Sequence, residues 1–327
     1  MQMAYAFDKA DRRGTSKKGS TTSTRTKSIF STSRKKTLTD TSKSLMKFVK
    51  SEFGIRRVVD IKTEHVNAYI RDKSPQWSSR TTKEKISQLS KIAEIAGATY
   101  GKKLDWRVDD SLRPKVEISD KMRTLTMTRD EHSRLVETAL RTAETPQGRM
   151  TAADALRISA ATGMRSGEIA HLRGAQIDLD RGIISIREGD GAKNDKFRDI
   201  SIREKDRALF AELKERKGEG FFFPGHGTTP RMKAASISAA MHRTMEKCGM
   251  TQYGEARTSN HSIRKMWAQE RLQEAYHALT GHEAAIGELK ERGPNDPAVS
   301  AAWGAVQKEL GHGPKFRDDL WEAYVGR

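Results

Sequence analysis

Apolar side chains recur at helical spacing along most of this chain and alternate in one short region only. Between Ser42 and Phe53, the residues Leu45, Met46, Phe48 and Val49 share one side of a predicted helix. Thr63 is the expected cap of a second helix carrying Val66, Tyr69 and Ile70. Thr81 with Glu84 reads as a capping box for a third, in which Ile86, Leu89, Ala93 and Ala96 recur at the helical period. Thr128 with Glu131 is a second capping box, and the run Ala155 to Ala161 predicts a further helix that Thr162-Gly163 breaks. Gly182 to Ile186 and Arg198 to Ile202 alternate as strands do, with the turn residues Glu188 to Gly191 between them. More helices are expected over Glu204 to Arg216, Ala234 to Lys247 and Asn260 to Tyr276, and Gly293 to Pro297 marks a loop before a last helical run. The expected fold class is mainly α with a small β-hairpin or sheet (α+β).

The pattern divides the chain unevenly. Residues 1–36 hold ten basic against two acidic side chains and few large apolar ones, so they are expected to form a basic, disordered arm. Residues 37–107 read as a compact helical domain, in which Trp77, Tyr100 and Trp106 are expected in the core rather than as stacking platforms for bases. Residues 108–124 are charged, contain Pro114 and lack a periodic apolar face, as a linker does. Residues 125–327 form the larger, mixed domain.

Composition narrows the partner. Lys and Arg number 61 against 43 Asp and Glu, a formal charge of +18 over 327 residues, which favours a polyanion. No apolar run approaches the ~20 residues of a membrane span, and no secretory signal is visible. The one cysteine, Cys248, excludes an internal disulfide and fits a reducing cytoplasm. HExxH and CxxC patterns are absent and the nine histidines are scattered, so neither a metal nor a cofactor is expected.

The candidate chemistry centres on TGMRSGEIAHLR, Thr162 to Arg173. Arg165 sits at a helix–turn–helix junction beside a new helix N-terminus, a setting that attracts anions. Lys193 and Lys196 lie near the hairpin tip, His261 and Arg264 occupy one helix face in HSIR, His312 stands in ELGHG, and Tyr324 lies in DDLWEAYVGR.

Arginine, lysine, His-x-x-Arg, Gly-His and a late tyrosine, in that order, resemble the tyrosine recombinase (phage integrase) family over about residues 37–327. The resemblance implies a two-domain, C-shaped DNA clamp with a core-binding and a catalytic domain. It also implies a site-specific recombinase of a mobile element, whether integrase, excisionase-type or cointegrate resolvase. By that likeness Tyr324 attacks a phosphodiester and forms a 3′-phosphotyrosyl link, and Lys193 protonates the leaving 5′ oxygen. His261 takes part in proton transfer, His312 hydrogen-bonds the phosphate, and Glu168 orients a neighbour from behind. Arg165 and Arg264 suit the clamp because two permanently charged forks neutralise phosphate oxygens in the transition state. The implied partners are double-stranded DNA at a specific site, a homo-tetramer on two synapsed sites and accessory DNA-binding factors, in a bacterial, nucleoid-associated setting without membrane.

Several features depart from the family pattern. Tyr324 follows His312 by twelve positions, and Arg264 precedes His312 by 48, both long gaps. Within the second, Leu279-Thr280-Gly281-His282 mimics the Gly-His motif, but no tyrosine follows at a suitable distance, so His282 is read as a decoy. Lys193 is preferred to Lys196 from its match to the family's turn lysine. Two other functions share part of the pattern: type IB topoisomerase-like relaxation, and DNA binding without catalysis by an accessory protein.

Overall fold

The computed structural model describes residues 2–13, 15, 20–115, 125–142, 151–187, 197–223, 230–256, 259–312 and 317–326. The chain divides into two compact units, Met1–Lys121 and Met122–Arg327. Helices dominate both, with one small antiparallel sheet in the second.

In the first unit, α3 (Thr32–Phe53), α4 (Thr63–Lys73) and α5 (Ser79–Tyr100) bury Leu38, Leu45, Val49, Val66, Ile70, Leu89 and Ile92 against one another. Tyr69 meets Phe48 edge to face at 5.6 Å, and its hydroxyl donates to Ser44 Oγ. Trp106 is buried, with its indole N–H on the Ile61 carbonyl at 3.0 Å; Trp77 and Tyr100 are partly buried against the same core. The cap of α5 is Ser78 rather than Thr81, and α4 is capped by the His65 imidazole on the Lys62 N–H, while Thr63 donates to the Asp105 carbonyl.

The expectation of a disordered arm over residues 1–36 is not what the structure contains. Helices α1 (Gln2–Lys9) and α2 (Thr22–Lys27) precede α3, which begins ten residues earlier than the periodicity suggests. The few apolar residues are well spaced: Met3, Ala6 and Phe7 share one face of α1, which packs on α3 and α5, and Ile29 is buried beside them. The basic residues are partly matched, since Lys35 reaches Asp8 at 2.8 Å and Asp11 at 2.9 Å. The expected linker also differs: Val108 is buried and the Asp109 N–H bonds Asn67 Oδ1, so residues 108–115 pack on the first unit. Residues 116–124 lie outside the described residues.

The second unit is built around α12 (Ser259–Thr280), which packs on α7 (Ala152–Thr162) and on α14 (Pro297–Glu309). Residues 262–268 of α12 are all buried, so protein surrounds the helix there. Such a helix shows no amphipathic stripe, and its polar side chains must find partners inside. Helix α6 (Arg129–Arg141) starts at the expected Thr128–Glu131 capping box and packs on α7; α8 (Ser166–His171) packs on α10 (Pro230–Lys247). Strands β1 (Ile177–Asp178), β2 (Ile183–Ile186) and β3 (Arg198–Ser201) form the sheet, with Ile184 opposite Ile200 and Ile186 opposite Arg198. The hairpin strands match the alternation; the hairpin tip does not belong to the described residues. Helices α9 (Glu204–Lys217), α11 (Thr251–Glu255), α13 (Ile286–Arg292) and α15 (Asp318–Tyr324) complete the unit.

Candidate active site

The turn that carries Arg165 is fixed from three sides. Gly163 ends α7 with φ +62°, and a Cβ there would lie 2.4 Å from Trp267 Cε3, so glycine is required twice over. The Met164 N–H bonds Thr162 Oγ1 at 3.1 Å. Asn260 donates to the Met164 carbonyl and accepts from Ser159 Oγ at 2.6 Å. Arg165 then caps α8: its N–H meets Glu168 Oε2 at 2.8 Å, and its Nη1 lies 3.3 Å from Oε1. Helix α8 has only six residues, so the guanidinium rather than the helix dipole supplies the positive field.

Arg264 projects from the surrounded part of α12 and is 1% exposed. Its Nη1 donates to the Gly163 carbonyl, its Nη2 to the Leu310 carbonyl at 2.7 Å, and its Nε to the Tyr324 hydroxyl at 2.9 Å. One guanidinium thus joins the end of α7, the end of α14 and α15. Tyr324, 3% exposed, is the last residue of α15, which is anchored by Leu320 and Trp321 and by Gln269 Nε2 on the Tyr324 carbonyl. The His261 ring stands 5.3 Å and the His312 ring 6.2 Å from the Tyr324 ring. The His312 N–H is held by the Gln307 carbonyl at the end of α14.

The electrostatics favour an anion. Burial, followed by the nearby Arg264 charge, pushes the Arg165 pKa below the ordinary arginine value, although a guanidinium stays protonated. Burial alone would raise Glu168, but the Arg198 guanidinium at 3.0 Å, with Arg264 and Arg165 behind it, holds this carboxyl below its usual range. Three arginines, Arg165, Arg198 and Arg264, against one buried carboxylate leave an excess of positive charge beside the phenol.

The structure brings Arg165, Glu168, His261, Arg264, His312 and Tyr324 together; Lys193 and Lys196 lie outside the described residues. His282 is elsewhere: it pairs with Glu288 at 3.4 Å and stacks edge-on with Tyr276, about 18 Å along α12 from Arg264 at 1.5 Å per residue. Tyr253 donates to Glu131 at 2.7 Å, and burial together with that carboxylate pushes its phenol well above the ordinary range. Two contributors were not singled out from the sequence, Asn260 and Arg198. Arg198 carried a signal, because strand alternation puts it on the inward face with Ile200, where a charge is unusual.

A helical unit followed by a mostly helical unit with a three-stranded sheet is the fold of the tyrosine recombinases. The chain is similar in structure to a lambda integrase dimer bound to a COC′ core site, with 14% identity, a TM-score of 0.56, and coverage of 91% of this chain and 72% of that one. It is similar also to the XerH site-specific recombinase bound to a palindromic difH substrate in a post-cleavage complex, with 16% identity, a TM-score of 0.56, and coverage of 84% and 75%. Among curated proteins none matches in sequence. Residues 126–279 match the phage integrase family, and this part of the chain is a phage integrase family domain. Among the described residues no helix is long and apolar enough to cross a membrane.

Proposed function

We propose that this chain is a site-specific DNA recombinase of a mobile element, acting as integrase, excisionase or resolvase, that cuts and rejoins strands through a 3′-phosphotyrosyl intermediate. The observation that carries the reading is the 2.9 Å hydrogen bond from Arg264 Nε to the Tyr324 hydroxyl, with Arg165 and two imidazoles around it. That guanidinium holds the Tyr324 oxygen in place and faces the negative charge that builds as the oxygen attacks phosphorus. Tyr324 Oη forms the new P–O bond while the P–O5′ bond breaks, and the departing oxygen takes a proton from Lys193. His261 accepts the phenolic proton, His312 and both arginines hold the non-bridging oxygens, and Glu168 keeps Arg165 in place. Attack by another strand's 5′-hydroxyl reverses the step and conserves the phosphodiester energy, so no nucleotide hydrolysis is required.

By the family likeness the partners are duplex DNA bearing a specific site, a homo-tetramer on two such sites, and accessory factors that set direction. Because Arg264 is covered and all three of its nitrogens face oxygen, phosphate must take the place of at least one present acceptor.

The test is covalent capture of the full chain on a randomised library of nicked duplexes, followed by sequencing of the trapped DNA. Wild type is expected to select a defined site and to join two duplexes that carry it. Relaxation of supercoiled plasmid without the selected site would favour the topoisomerase-like reading, and site binding with no covalent product would favour the accessory protein.

A further inference from the structure

We propose that Arg198 is a positioning residue for strand cleavage: a buried strut that keeps the Arg165 turn and the 309–312 segment in one register. The proposal rests on the strand-transfer reading above. Arg198 is 6% exposed and stands in β3 at an inward position, paired across the sheet with Ile186. Stability alone does not ask for an ion pair there, since an apolar side chain would match its neighbours Ile184 and Ile200.

What the guanidinium touches explains its presence. Its Nη1 lies 3.0 Å from Glu168 Oε1, the carboxylate whose other oxygen takes the Arg165 N–H. Its Nε donates to the Glu309 carbonyl at 2.6 Å. The next carbonyl, Leu310, accepts from Arg264, and His312 follows two residues later. Gly311 lies against it with φ +74°, where an added Cβ would come within 3.0 Å of Arg198 Nη1. One planar group therefore spans from the support of the first clamp arginine to the chain that supports the second. A lysine, with one compact ammonium, cannot hold Glu168 and the Glu309 carbonyl at the same fixed angle.

Arg198→Lys keeps a positive charge beside Glu168 and so spares the fold from an unpaired buried carboxylate. Two measurements are made on the full chain. In amide hydrogen exchange without DNA, peptides covering 163–169 and 309–312 should exchange several-fold faster in Arg198→Lys, with the melting temperature little changed. In single-turnover cleavage of a nicked duplex selected by wild type, the rate at saturating DNA should fall on the order of a hundredfold with DNA affinity retained. The same substitution in an Arg165→Lys background should slow cleavage little further, because the part it positions is already lost. Unchanged exchange in both peptides overturns the strut, and so does a wild-type cleavage rate in Arg198→Lys. Losses that simply add with Arg165→Lys overturn action through Arg165. If wild type itself forms no covalent product, the strand-transfer reading fails, and the exchange result separately decides whether the strut exists.

Discussion

Gly163→Ala tests how the turn beneath the arginines is held. Two costs add. The residue occupies the left-handed region at φ +62°, which charges a non-glycine residue about 1–2 kcal/mol. The new methyl carbon also lands 2.4 Å from Trp267 Cε3, inside a fully buried indole whose N–H is tied to the Ala161 carbonyl at 3.0 Å. Trp267 cannot swing away without breaking that bond, so overpacking adds about 1–3 kcal/mol, for about 2–5 kcal/mol together. Gly249→Ala is the internal control: its φ is +74°, but nothing lies within 4 Å of the added carbon, so only the first cost applies. Urea unfolding followed by tryptophan fluorescence should show Gly163→Ala destabilised beyond Gly249→Ala by at least about 1 kcal/mol. Cleavage should also fall in Gly163→Ala, because the displaced carbonyl is one of the three Arg264 acceptors. Equal destabilisation of the two variants would refute the claim that Trp267 locks the turn.

Four further outcomes follow from other contacts. Phe7, 1% exposed on α1, should cost about 3–5 kcal/mol when replaced by alanine, read as lost protease resistance of the first unit; a dangling arm would show no effect. Glu168 and Glu270 are held below the ordinary carboxylate value of 4.5 by their arginine partners despite burial, so their stabilisation is complete above that pH and is lost as pH falls through their lower folded values. Burial likewise holds His132 below 6.5, so thermal stability should begin to fall below that pH, and His132→Gln should flatten this first limb in a melting-temperature series. Arg264→Lys should reduce cleavage on the order of a hundredfold or more while gel-shift affinity for the selected site is largely kept, since a single ammonium cannot replace three fixed donors.

Much of the second unit was legible because its signals are local. Thr162-Gly163 had to end a helix, Thr128 and Glu131 form a reciprocal cap, and the strands at 182–186 and 198–202 announce themselves by alternation. The ordered residues Arg165, His261, Arg264, His312 and Tyr324 were legible as a set, and folding brings them to one place although 159 positions separate the first from the last. What the sequence hid is long-range. Met3, Ala6 and Phe7 are too few to lift the average of a basic, Ser/Thr-rich segment, yet their spacing makes one apolar face that only the α3–α5 core explains. Ser78 and Thr81 are both competent caps three residues apart, and the pattern alone does not distinguish them; in the structure Ser78 accepts from the Thr81 N–H. Alternation puts Arg198 on the inward face of its strand, but what it meets there, the Glu168 carboxylate and the Glu309 carbonyl, is distant in sequence.

Strand cleavage turns on the identity of the nucleophile, which peptide mapping of trapped complex reads out. Wild-type chain is reacted with the selected nicked duplex, digested, and the nucleotide-bearing peptide sequenced by mass spectrometry, with Tyr324→Phe carried in parallel. Tyr324→Phe removes one oxygen and one acceptor of Arg264, so folding and site binding should persist. A 3′-phosphate joined to Tyr324 alone is expected in wild type, and no covalent complex in the variant. An adduct on Tyr253 or Tyr276, or one that survives in Tyr324→Phe, would contradict Tyr324 as the nucleophile.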